Sequence, residues 1–189
     1  MKPRHLLALS LCLLPTLALA HPGHDAGSGF MAGLSHPWSG MDHLITMLAV
    51  GMWGAQLGGR MRWAVPCSFV SMMIAGSLLG FSGAHIGAVE QAIAASVCIL
   101  GLLLATATRV PLLAGMAITG CFAVFHGYAH ATEATASSNA LLYIAGFAMS
   151  TAMLHAIGFG VASLLSRHQR LVRWAGAAIA FSGVVMLLA

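Results

Sequence analysis

Two short stretches are the densest clusters in this chain of groups that could bind a metal ion or move a proton. They are His36-Pro37-Trp38-Ser39-Gly40-Met41-Asp42-His43 and His126-Gly127-Tyr128-Ala129-His130-Ala131-Thr132-Glu133. His126, His130 and Glu133 stand at i, i+4 and i+7, so a helix projects all three from one face. Histidines at i and i+4 are a metal-binding geometry, and a carboxylate one turn on completes a plausible nitrogen and oxygen set. In the first stretch Pro37 suits the first turn of a helix, which then places His36 and His43 two turns apart on a shared face. Asp42 falls four to five residues into that helix, ~7 Å below its outer end at 1.5 Å per residue, where a carboxylate needs a partner. Imidazoles with a few carboxylates suit Ni2+, Co2+, Zn2+ or Cu2+ rather than Ca2+ or Mg2+, which prefer all-oxygen sites. Structural roles stand beside these readings: Asp42 as a helix cap, and the histidines as a hydrogen-bonded ladder.

The surroundings sharpen the point. Only 6% of the chain is charged and 59% is hydrophobic, with four acids in 189 residues. A charged group at a bilayer centre costs roughly 2.5 kcal/mol or more, so ionisable groups retained there usually mark an ion or proton pathway. His155, mid-way along an apolar segment with Thr151 one turn away, is a candidate midplane ligand or a hydrogen-bonded core histidine. His85 and Glu90 flank a turn between two apolar segments and are weaker candidates. His21 and His24, with Asp25, could collect metal from outside or simply be solvated; His168, among arginines, faces headgroups or solvent.

The elements that must hold these groups are membrane helices. Residues 1–20 read as a cleavable signal peptide, with Lys2 and Arg4, an apolar run from Leu6 to Leu14, and Ala18-Leu19-Ala20 as the cleavage site. Residues 21–35, polar, Gly-rich and containing His21 and His24, read as a flexible outer arm. Residues 36–189 read as one all-α domain, a six-helix transmembrane bundle with spans near 38–58, 63–83, 88–108, 110–128, 140–165 and 172–189. Arg60 and Arg62, Arg109, and Arg167, Arg170 and Arg173 fall in alternate connections, and the other two connections lack Lys and Arg. Positive loops stay cytoplasmic, so the N-terminus and C-terminus are both expected outside.

Several function classes are disfavoured. Basic residues are scattered singly, which is not a nucleic-acid signature, and no GxxxxGK[ST] loop suggests a nucleotide. Cys67, Cys98 and Cys121 lie in apolar runs without CxxC spacing and read as small buried packing residues. The twelve methionines read mostly as core filler. Gly54 with Gly58, and Gly76 with Gly80, have the small-xxx-small spacing of closely packed helices. Gly80-Phe81-Ser82-Gly83 mimics a nucleophile turn, but its nearest histidine, His85, is only three residues from Ser82.

HPWSGMDH resembles the HPxxGxDH motif of the HupE/UreJ family of hydrogenase and urease accessory proteins. FHGYAHATE, residues 125–133, resembles that family's FHGxAHG-type segment ending in an acid, with Ala131 where a glycine is usual. The resemblance implies a multi-pass permease of the bacterial inner membrane, not an enzyme. It would import Ni2+, with Co2+ as a second candidate, for hydrogenase or urease maturation, and would hold no permanent cofactor. Its implied metal path is His36, Asp42, His43, His126, His130 and Glu133. The expected partners are then the ion and the lipid bilayer, with no nucleotide or nucleic acid; the sequence sets no oligomeric state. The alternative is a zinc-dependent intramembrane hydrolase using Asp42, His43, His126 and His130, which would need a fixed metal with an open position.

Overall fold

A computed structural model describes residues 29–134 and 139–189. The expected signal peptide and His21, His24 and Asp25 of the expected arm lie outside the described residues. Those described form seven helices and no strand: α1 (Phe30–Ser39), α2 (Met41–Leu57), α3 (Met61–Phe81), α4 (Val89–Thr106), α5 (Leu112–Glu133), α6 (Ala140–Leu164) and α7 (Gln169–Leu188). Helices α3 to α7, of 18 to 25 residues, are long and apolar enough to cross a membrane. Their outward faces are apolar: Leu113, Leu141, Leu164 and Phe181 are all strongly exposed, as side chains are when lipid is the solvent.

The first apolar segment is built differently from the sequence expectation. Pro37 does not open it; it lies inside α1, and the chain breaks at Gly40, which is extended (φ −96°, ψ 118°), before α2 begins. Residues 30–35, read as part of a flexible arm, are helical. The glycines that suggested flexibility serve close packing instead. A Cβ on Gly33 would overlap the Tyr143 carbonyl, and one on Gly146 would overlap the Phe30 carbonyl, so α1 lies directly against α6.

The same device recurs at every major helix contact. Gly51 and Gly158 admit the backbones of His155 and Leu48 between α2 and α6; Gly76 and Gly127 admit those of Val124 and Met73 between α3 and α5. Gly101, Gly176 and Gly183 do the same between α4 and α7. Lipid tails are as apolar as leucine, so close backbone approach and dispersion hold such helices together. Gly80 also packs on α5, as its spacing with Gly76 suggested, whereas Gly58 meets nothing. Gly58 and Gly59 take positive φ (70° and 52°) and end α2 in a tight turn.

These contacts fix direction. Met61 meets Gly115 and Gly80 meets Tyr128, so α3 and α5 run parallel; Met47 meets Thr151 and Gly51 meets His155, so α2 and α6 run parallel as well. Trp63 stacks on Phe159 (5.9 Å, 17°) while Phe81 meets Tyr143 edge-on, so α3 and α6 run antiparallel. Arg62, Arg109 and the arginines after α6 therefore gather at one end of the bundle, where Arg173 Nε also donates to the Ala105 carbonyl (2.7 Å). Exposed Trp63 and Trp174 sit at that end, as aromatic residues do at a membrane interface. The histidine-rich stretches lie at the other.

Cys67 and Cys121 are exposed, contrary to the expectation that they are buried packing residues. A thiol is small and only weakly polar, so residing in an apolar run did not require burial.

The glycine contacts make a direct prediction. Gly127→Ala should force α3 and α5 apart against the Met73 backbone, at ~1–3 kcal/mol or more. The melting temperature in detergent should fall by several degrees, or the folded yield collapse. Gly160→Ala, whose Cβ would meet open space, should leave the melting temperature unchanged or slightly raised.

Candidate functional site

The break at Gly40 decides how the two histidine stretches meet. His36 on α1 and His43 on α2 do not share one helix face, yet both reach α5. His36 lies 4.9 Å from His130 between ring centroids, His130 4.5 Å from His43, and His43 4.7 Å from His126. The four imidazoles thus form a file, His36–His130–His43–His126, running from a half-exposed end to a fully buried one. Phe147 stacks on His130 (4.9 Å, 18°), and Tyr143 packs edge-on to His36 and to Phe147.

The hydrogen bonds define what these rings offer. Asp42 Oδ1 lies 2.9 Å from His43 Nδ1. An ionised carboxylate only accepts, so Nδ1–H donates and Nε2 keeps its lone pair. That Nε2 is buried with no partner among the protein's own groups. The same Asp42 oxygen accepts the His43 backbone N–H at 2.7 Å; it does not cap the helix at Gly40. Asp42 is therefore an orienting group as much as a candidate ligand.

His126 is set by the same logic with a hydroxyl. Ser96 Oγ donates its one hydrogen to the Ile93 carbonyl at 2.6 Å, so its contact of 2.8 Å with His126 Nε2 must be an acceptance. His126 Nδ1 is then the lone-pair nitrogen, and it too is buried without a partner. His130 has neither ring nitrogen paired. His36 Nε2 meets Glu133 Oε2 at 2.9 Å, where the carboxylate is half exposed. Glu133 thus joins His36 across the helices instead of completing a one-ion set with His126 and His130 on its own face.

Below the file, the ring of Phe69 separates His126 (5.5 Å) from His155 (5.3 Å). His155 is buried, with both nitrogens unpartnered. Thr151 does not bond it; its hydroxyl donates towards the sulfurs of Met47 (3.3 Å) and Met73 (3.6 Å). Above the file, Asp42 and Glu90 line a cleft of ≈ 430 Å³ between the starts of α2 and α4 and the end of α7. His85 is exposed on the connection after α3 and takes no part; Ser82, also exposed, donates to the Leu79 carbonyl, so no Ser–His dyad forms there.

Each unpartnered buried polar group costs about 1–3 kcal/mol, unless something else satisfies it. A divalent transition-metal ion is the ligand that such lone pairs suit. Among the described residues, however, no three His, Cys, Asp or Glu side chains converge as a cage for one ion. The arrangement offers ligands in succession, one or two at a time. Sequence reasoning missed Ser96, Phe69, Tyr143 and Phe147. Ser96 carried a signal, a hydroxyl amid the apolar residues of α4; the three aromatics resemble ordinary core.

The orienting contacts are testable. In spectra of 15N-histidine-labelled protein, His126 should be the Nε2–H tautomer and His43 the Nδ1–H tautomer. Ser96→Ala should turn the first into a mixture without moving the second, and Asp42→Ala should do the reverse. If both tautomers were unaffected, the assignment would be wrong.

Comparisons with known proteins assign the chain to a family. The family described as HupE / UreJ protein matches residues 9–186. The curated protein named "Protein HupE" from Rhizobium leguminosarum bv. viciae is 43% identical over 182 residues, covering 95% of each chain. No solved structure matches. With the motifs, the helices and nearly the whole length in agreement, the chain belongs to the HupE/UreJ family.

Proposed function

We propose that this protein is a permease that carries Ni2+ inward across the bacterial inner membrane, supplying hydrogenase or urease maturation. The observation that carries the reading is the file of imidazoles, three of which, His43, His126 and His130, hold buried and unpartnered ring nitrogens. The choice of nickel over Co2+, Zn2+ or Cu2+ rests on family membership, since imidazole and carboxylate suit all four. In this reading α2, at 17 residues, is a sixth crossing at the short end of the usual range. The arginine end faces the cytoplasm, which puts the histidine end and both termini outside.

The ion enters by the cleft at Asp42 and Glu90 or by the half-exposed pair His36 and Glu133. It sheds water to the imidazoles in turn and passes Phe69 to reach His155. Transport needs ligands strong enough to strip water and weak enough to let go, which successive pairs provide and a closed cage does not. A doubly charged ion entering a negative interior gains about 2.3 kcal/mol per charge per 100 mV, ~4.6 kcal/mol in all, so the potential alone can drive uptake.

A zinc hydrolase on the same residues would require three protein ligands fixed on one metal, and the file does not favour that. The two readings part cleanly in experiment. Cells expressing the protein should accumulate radioactive Ni2+, and Asp42→Ala or His43→Ala should reduce accumulation at least tenfold with the protein still present in the membrane. Purified protein carrying stoichiometric zinc, with no uptake, would instead support the hydrolase.

A further inference from the structure

A second cleft, of ≈ 390 Å³, opens between α3 and α6 on the arginine side of the bundle. It extends from the level of Ser71 and Ala152 to Arg62 and Phe159. The nine helical steps of α3 from Arg62 to Ser71 rise ~14 Å, about half a bilayer. Its walls are largely apolar, formed by Trp63, Pro66, Val70 and Phe159. Three side chains in it can ligate a metal: His155, Cys67 and Ser71. His155 is 4% exposed, has both ring nitrogens unpartnered, and lines this cleft while its other side meets Phe69. Cys67 is a free, exposed thiol on the facing helix.

We propose that His155 and Cys67 form an inner imidazole–thiol site, which receives a borderline transition-metal ion after it passes Phe69 and releases it along this cleft. The inference deepens the transport reading and rests on it. Nitrogen and sulfur together select Ni2+, Co2+ or Zn2+ over Mg2+ and Ca2+. Two protein ligands leave the remaining positions to water, so the hold is weak, as an exit site requires. Arg62, fixed at the mouth by its Nε–H to the Gly59 carbonyl (2.9 Å), adds a like charge that weakens the hold further. Cys67, which packing does not explain, thereby gains a role.

The test uses the full-length protein with Cys12→Ser, Cys98→Ala and Cys121→Ala, leaving Cys67 as the sole thiol. In inside-out membrane vesicles, its rate of reaction with a charged methanethiosulfonate is measured with no metal, with Ni2+ and with Mg2+. The site predicts that Cys67 reacts, that Ni2+ slows the reaction at least fivefold, that Mg2+ does not, and that His155→Ala removes the protection. A Cys67 that never reacts, a rate indifferent to Ni2+, or protection that survives His155→Ala would each overturn it. Radioactive Ni2+ uptake by the same sole-cysteine protein separates the two ideas. Uptake without protection refutes the inner site and leaves transport standing, whereas absence of uptake in the unaltered chain refutes transport itself.

Discussion

A neutral imidazole has one nitrogen that donates and one that accepts, and inside an apolar bundle both need an answer. Here Asp42 answers the donor of His43, and Ser96 answers the donor of His126. The acceptors are left buried without a partner, on rings whose centroids lie 4.7 Å apart. Everything else in the molecule can be read as the means of holding that arrangement. A carboxylate and a hydroxyl fix which nitrogen carries the proton, the aromatic rings of Phe147 and Phe69 keep water out, and the helix backbones bring the rings within reach.

The glycines make this reach possible. Three helices must deliver histidines to one small volume, and they can do so only if α1 and α2 lie hard against α6 while α3 lies hard against α5. A Cβ added at Gly33, Gly51, Gly127 or Gly158 would overlap a neighbouring backbone, which shows how little room remains. Close packing also costs the histidines their solvent. What stabilises the bundle is therefore also what desolvates the site, and a cation able to satisfy the bare nitrogens recovers some of that cost. The file has no closed cage, so a cation bound there is held by few ligands at any moment.

Much of this was legible in the sequence. The long apolar runs gave the helices α3 to α7 within a few residues, because length and composition decide membrane spans more firmly than they decide soluble elements. Arginine placement gave the end of the bundle where charge gathers. The two histidine motifs gave the four rings. Spacing along one chain could not give the pairing across helices: Glu133 turned to His36, and His36 parted from His43 at Gly40. Pro37 misled, since a proline that suits a helix start is also tolerated near a helix end beside a break. Ser96, Phe69 and the exposed thiol of Cys67 gain meaning only from neighbours more than twenty-five residues away in sequence, which periodicity does not report.

The central claim is that the unpartnered imidazole nitrogens of the file are what the ion binds. X-ray absorption at the nickel edge, on purified protein loaded with Ni2+, tests it most directly. The claim predicts the outer-shell scattering of imidazole around nickel, from one or two rings in a mostly nitrogen and oxygen shell, diminished when His43 and His130 are replaced by alanine. A spectrum of nickel ringed by oxygen alone, or one unchanged by those replacements, would contradict it.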